Sequence, residues 1–227
     1  MRSFQARAVI FDLDGVLVDS EPLSRKGLNQ ALTGGGASPI TEEEFRRLIG
    51  TTAEETWNII KEMRTLSHPL DYYLKLYDRV FPRILEEELV LQPGAMRVID
   101  EVRARGLPLG LATSSRRRNV DVKLRLVGLN GTFDVIITGD EVQRPKPAPD
   151  IYLGVAQHLN VSPGECLAIE DSPRGVAAAV AAGMNTVGVR TPATAGMDIS
   201  QANVIIDSLE EFDVDVLGGA ARPGMET

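Results

Sequence analysis

Apolar residues fall along this chain in two rhythms. Short β-rich runs recur at Ala8-Val9-Ile10-Phe11, Leu109-Gly110-Leu111-Ala112, Asp134-Val135-Ile136-Ile137, Leu167-Ala168-Ile169, Thr186-Val187-Gly188-Val189 and Val204-Ile205-Ile206. Each is too short for a helix and is bounded by turn-forming or polar residues, so each predicts a buried strand, the last at an edge. Between them the spacing changes to that of a helix. Over Gly94–Arg105 it puts Ala95, Val98, Ile99 and Val102 on one face before Gly106-Leu107-Pro108 stops the helix. Further helices are expected over Asn119–Val127, Asp150–Leu159 and Arg174–Ala182. Strands alternating with helices in this way imply a parallel sheet with helices on both faces.

Residues 20–92 break the alternation. They are rich in helix formers, and Glu42-Glu43-Glu44, Glu54-Glu55 and Glu86-Glu87-Glu88 mark solvated faces. The expectation is an α/β protein with a doubly wound, Rossmann-like core from 1–19 and 93–227, into which 20–92 is inserted as a helical cap domain. Thr33-Gly34-Gly35-Gly36-Ala37-Ser38-Pro39 follows a helix and lacks the Gly-Lys-Ser/Thr ending of a phosphate loop, so it reads as a turn between insertion helices. Gly218–Thr227 reads as a loose tail.

Composition narrows the function. The 227 residues are 43% apolar, enough for one large core or a medium core with a satellite. A net charge of −8 disfavours a dedicated nucleic-acid binder. The single Cys166 lies in an apolar run, which rules out a disulfide framework. No stretch approaches the roughly 20 apolar residues of a membrane span, and the N-terminus lacks a signal-like run. The expectation is a cytoplasmic monomer with no nucleic-acid or membrane partner.

The chemistry lies where the apolar runs end. Asp12 and Asp14 follow the first, and if the chain stays extended their carboxylates share one side, Cα atoms roughly 6–7 Å apart, with Leu13 opposite. Two like charges so close call for a cation. Thr113, Ser114 and Ser115 end the second run, Lys146 follows the third, and Glu170-Asp171 ends the fourth. Ligands of an open parallel sheet bind beyond the carboxyl ends of its strands, so the fold would gather these groups along one edge. Carboxylates, hydroxyls and one amine suit a phosphoryl group held beside Mg²⁺.

Asp12-Leu13-Asp14-Gly15-Val16, Leu111-Ala112-Thr113-Ser114, Pro145-Lys146-Pro147 and Glu170-Asp171-Ser172, in that order and spacing, resemble the four motifs of the haloacid dehalogenase superfamily, in the subgroup with a helical cap. The resemblance spans nearly the whole chain. It implies a phosphatase acting on a small phosphorylated metabolite, a sugar phosphate above all. By it, Asp12 is the nucleophile that becomes an aspartyl-phosphate, and Asp14 is the general acid and then the base. Asp12, Leu13, Asp14, Thr113, Ser114 and Lys146 would hold the phosphoryl group. Asp12, the carbonyl of Asp14, Asp171 and Glu170, the last directly or through water, would hold Mg²⁺. Glu21 and Ser24, at the start of the insertion, would read the substrate.

The alternative is phosphoryl transfer of the β-phosphoglucomutase type. Those enzymes carry a His at the position matching Ser24 and an Arg at the one matching Ala53; neither is present, though Arg25, Lys26 or Lys61 could substitute. A receiver-type signalling module is disfavoured, because receivers place the phosphorylated Asp on a later strand and have no cap. Arg116-Arg117-Arg118 opens a helix, a poor place for cations, and reads as a solvated face rather than a phosphate-attracting rim. Ser172-Pro173 reads as a helix cap, Trp57 as cap core, and His68 and His158 lack metal-ligand spacing.

Overall fold

The computed structural model describes residues 4–218. Six strands form one parallel sheet: β1 (Ala8–Phe11), β2 (Leu109–Thr113), β3 (Val135–Thr138), β4 (Cys166–Glu170), β5 (Asn185–Val189) and β6 (Val204–Ile206). Their order across it is β3-β2-β1-β4-β5-β6, so the chain runs outward from β1 to one side, returns, and runs out to the other. That reversal opens a crevice at the carboxyl ends of β1 and its two neighbours.

The two faces of β1 show why its residues run apolar without interruption. Val9 and Phe11 face the core shared with α5 (Ala95–Ala104) and α6 (Arg117–Leu126), whereas Ala8 and Ile10 face α7 (Asp150–Leu159) and α8 (Pro173–Ala181). A strand covered on both sides has no solvent face to mark with polar residues. Cys166 is buried in the second of these cores. Ser172 caps α8 by accepting from the Gly175 N–H at 3.1 Å, with Pro173 in the first turn. The small face of α8 lets it approach the sheet. A Cβ on Gly175 would run into the Glu170 carboxylate.

Residues between β1 and α5 form α1 (Glu21–Gly34), the short α2 (Glu42–Arg46), α3 (Ala53–Met63) and α4 (Leu70–Glu88). Leu28, Leu32, Phe45, Trp57, Ile60 and Tyr73 pack into a separate apolar cluster among them. Residues 35–41 are the connection between α1 and α2, as the glycine-rich turn required. Where the insertion leaves and rejoins, the two chain segments pair: the Asp19 N–H donates to the Val90 carbonyl at 3.0 Å and the Gln92 N–H to that of Leu17 at 2.9 Å. No helix among the described residues is long and apolar enough to cross a membrane. The expected tail, Gly218 apart, lies outside the described residues.

Candidate active site

Beyond Phe11 the chain leaves the sheet and turns back, with the Gly15 N–H donating to the Val18 carbonyl at 2.9 Å. Gly15 adopts φ +81°, and a Cβ there would strike the Asp171 carboxylate. Glycine therefore serves both the turn and the close approach. Leu13 is fully buried in the core, while Asp12 and Asp14 both reach the cleft, so the alternation expected of an extended chain survives the bend.

The two aspartates have separate surroundings. Lys146 Nζ lies 2.7 Å from Asp12 Oδ1 and 3.0 Å from the Ala112 carbonyl, and it also donates to Glu170 Oε1. The Tyr152 hydroxyl donates to the same Glu170 oxygen at 2.7 Å, and its ring centre lies 5.0 Å from the ammonium. Glu170 Oε2 accepts from the N–H groups of Asp171 and Ser172 at 3.1 and 3.3 Å. Both oxygens of Glu170 are thus engaged by the protein. The carboxylates of Asp12, Glu170 and Asp171 offer one oxygen each within 4.8 Å of one another, all three buried.

Asp14 is held by another set of donors. Lys123 and Ser20 donate to its Oδ1, and Ser115 and Thr113 to its Oδ2 at 2.7 and 3.3 Å. The charges follow these surroundings. Burial, with Glu170 and Asp14 nearby, pushes Asp12 up to about 8 despite Lys146. Burial and Glu170 also raise Asp171 well above the carboxylate range. Lys146 is raised as well, because Asp12 and Glu170 outweigh its burial. In Asp14, Lys123 and the hydroxyl donors outweigh burial and hold the carboxyl below its ordinary value.

Three buried carboxylates facing one ammonium cannot all ionise without a further cation, which is why Asp12 and Asp171 are pushed up. The donor set consists of hard oxygens, and the missing side chain of Gly15 is what lets the Asp171 carboxylate come close to the Asp12 loop. That combination suits a divalent metal ion.

The insertion roofs the cleft and leaves a cavity of about 110 Å³. Asp12, Asp14, Thr113, Ser114, Lys146 and Asp171 line it from the sheet side, and Glu21 and Ser24, at the start of α1, line it from the insertion. Glu21 is raised to about 7 by burial and by Asp14. Glu170 lies beneath the floor, behind Lys146. Arg25, Lys26 and Lys61 are absent from the cleft lining; Arg25 faces Glu42 at 3.5 Å and Lys26 pairs with Glu88.

The solvated-face reading of Arg116-Arg117-Arg118 needs correction. Arg116 lines the cleft, Arg117 forks onto Glu141, and Arg118 pairs with Asp78 of α4. Trp57 is both core of the insertion and part of the cleft wall. His68 stacks on Tyr72 with ring centres 4.2 Å apart, and His158 sits 2.8 Å from the Gly154 carbonyl; neither reaches the cleft. Sequence reasoning missed Lys123, Tyr152 and Ser20 as site residues; Ser115, which it placed at the strand end without a role, donates to Asp14. Arg116, Asn119 and Lys123 recur at one-face helical spacing and all line the cleft, a signal the basic run obscured.

A doubly wound sheet with an acid-rich, lysine-bearing crevice at its switch point is suited to handling a phosphoryl group beside a metal ion. The chain belongs to the haloacid dehalogenase-like hydrolases, whose family profile matches residues 9–189. It is 37% identical over 180 residues to the phosphorylated carbohydrates phosphatase of Thermotoga maritima, covering 79% of this chain and 83% of that protein. It is 36% identical over 217 residues to protein CbbY of Rhodobacter capsulatus, covering 90% and 94%. Among solved structures, a CbbY variant from Rhodobacter sphaeroides in complex with xylulose-(1,5)bisphosphate superposes with a TM-score of 0.83 at 28% identity, covering 91% of this chain and 96% of that one.

Proposed function

We propose that this protein is a Mg²⁺-dependent phosphatase that removes phosphate from a small sugar phosphate or bisphosphate through an aspartyl-phosphate on Asp12. The observation that carries the reading is the Asp12–Lys146 pair, set against a three-carboxylate cluster and opening into a roofed cleft. The names of the relatives supply the substrate class.

Asp12 attacks in its ionised form, which a cation beside Asp171 together with Lys146 would restore against the burial that raises it; one of its oxygens bonds to phosphorus, and the bond to the sugar oxygen breaks with its electron pair. Asp14, which its pair with Lys123 holds ionised at rest, first takes up a proton from the incoming phosphate group or from water and then gives it to that oxygen. Water then attacks phosphorus, passes a proton to Asp14, and the bond to Asp12 breaks to regenerate the carboxylate and release phosphate. A carboxylate leaves readily, so one slow hydrolysis becomes two faster steps. Lys146, the hydroxyls of Thr113 and Ser114, and the backbone of Leu13 and Asp14 hold the phosphoryl oxygens. Asp12, the Asp14 carbonyl and Asp171 would hold Mg²⁺, and Glu170, with both oxygens already engaged, would act through water. The ion, when bound, offsets the negative charge of nucleophile and phosphate together. Glu21 and Ser24 face the sugar, and the enzyme acts as a cytoplasmic monomer.

Phosphate release over a panel of sugar mono- and bisphosphates tests the reading; no turnover of any member with Mg²⁺ would refute it. Arg116 in the cleft favours one further reading, since a guanidinium there could hold a second phosphate as a mutase requires. Supplying β-glucose 1-phosphate with a trace of the 1,6-bisphosphate separates the two. Free phosphate should appear from some panel member faster than glucose 6-phosphate appears here; the reverse order establishes a mutase.

A further inference from the structure

Lysine is almost never fully buried unless paired. Lys123 is 1% exposed, on α6, outside all four sequence motifs. Its ammonium pairs with Asp14 Oδ1 and lies 3.1 Å from Ser115 Oγ, which itself donates to Asp14 Oδ2 at 2.7 Å. The Phe81 ring of α4 closes over it, with the ammonium 5.8 Å from the ring centre. Lys123 therefore meets the core's Asp14 on one side and the insertion on the other.

We infer that Lys123 is a positioning residue for proton transfer: it anchors Asp14 Oδ1, and thereby makes Oδ2, on the Thr113 side, the oxygen that exchanges the proton. This rests on Asp14 serving as acid and base in the reaction above. The four donors around Asp14 are not equivalent. Ser20, Thr113 and Ser115 are hydroxyls, able to turn from donor to acceptor when the carboxyl gains a proton, whereas an ammonium can only donate. Lys123 and Ser20 share Oδ1, so that oxygen is the one held in place. Oδ2 rests only on hydroxyls, and one of them, Thr113, ends the strand beside β1. The phosphoryl group is expected on that side. Phe81 ties the arrangement to the insertion: the roof shields the pair from water, where its attraction is stronger.

The test exploits leaving groups. The ratio kcat/KM reports the steps through release of the alcohol, and p-nitrophenolate departs without a proton while a sugar alkoxide needs one. Lys123→Met should lower kcat/KM for the best sugar phosphate of the panel by about 10²-fold, at the lower end of the range for general acid catalysis, while lowering that for p-nitrophenyl phosphate less than about threefold. Ser115→Ala, which removes the bridge without stranding a charge, should show the same selectivity at smaller amplitude and covers the case in which Lys123→Met does not fold.

Equal losses on both substrates would overturn the inference, since a structural defect does not distinguish leaving groups. A rise in KM confined to the sugar phosphate, with kcat unchanged, would also overturn it by making Lys123 a substrate contact. Asp12→Asn separates this failure from failure of the covalent reading: residual turnover there refutes the aspartyl-phosphate, whatever Lys123 does.

Discussion

Lys146 sits where a neutral side chain would leave Asp12, Glu170 and Asp171 to repel one another. In this structure its ammonium donates to Asp12, Glu170 and the Ala112 carbonyl, the last of which it can exchange for a phosphoryl oxygen, and Tyr152 and the backbone behind Glu170 hold the Glu170 end of that arrangement still. Asp12 is thus oriented by a partner that is itself fixed, as a nucleophile needs. Asp12→Asn should abolish turnover, because an amide cannot form the acyl-phosphate. Asp14→Asn should still allow one slow phosphorylation by p-nitrophenyl phosphate, seen as a rapid-quench burst of base-labile phosphate on the protein. A burst in Asp12→Asn, or none in Asp14→Asn, contradicts the division of roles. Asp171→Asn should raise the Mg²⁺ concentration for half-maximal activity by about tenfold or more, since a ligand and a charge are both weakened; an unchanged Mg²⁺ dependence would remove Asp171 from the metal site.

At the scale of elements, short segments depend on local devices. Helix α2 is five residues long, too short to persist alone, and it begins at a Thr41–Glu44 capping box. Arg64, at the end of α3, forks onto Glu44 at 3.1 and 2.7 Å and also donates to the Ser38 and Pro39 carbonyls. Arg64, followed by the Thr41 N–H, pulls Glu44 down to about 2 from an ordinary 4.5. A carboxyl lowered by folding stabilises the protein above its unfolded pKa and loses that effect as pH falls through the folded one. Glu44→Gln should therefore lower the melting temperature at pH 7, and the gap from wild type should shrink as pH falls from 4.5 towards 2. A gap that stays constant down to pH 3 would show that Glu44 acts by shape alone.

The same scale explains what could be read beforehand. The six strands were legible because a parallel sheet covered on both faces demands unbroken apolar runs, and β6 (Val204–Ile206) stood out even at three residues. The polar residues ending those runs were legible because the sheet's topology brings strand ends together. Lys123 was not, since a lysine in a basic helical stretch looks solvated until the fold closes another layer over it. Tyr152 was hidden differently: its ring belongs to the apolar face of α7, and only the hydroxyl reveals its second partner, Glu170.

For the whole molecule, the question is how the insertion lets substrate in and then encloses it. Its two connections to the sheet pair with each other through Val18 and Leu91, so if the insertion opens as a lid they should move as one ribbon, with bending expected near Val18–Glu21 and Leu91–Gly94. Much of the roof's attachment elsewhere is polar. Ser114 Oγ donates to the Gly50 carbonyl at 3.1 Å, Arg46 to that of Ala195 at 3.0 Å, and Arg174 pairs with Glu55 at 2.7 Å. The partly exposed Arg174–Glu55 pair contributes about 0–1 kcal/mol and weakens with salt, as attachment of a lid that reopens would require. Arg174 has a further connection, because it also donates to the Lys146 carbonyl and so links closure to the residue that orients Asp12. Glu55 is the partner to alter, since it lies outside the cleft lining and a glutamine there retains an oxygen for the α3 cap. Glu55→Gln should weaken binding of a phosphate analogue by about two- to fivefold, the factor by which losing up to 1 kcal/mol depletes the closed form. It should also flatten the salt dependence of that binding relative to wild type. Affinity and salt dependence both unchanged would mean that the Arg174–Glu55 pair does not hold the roof shut.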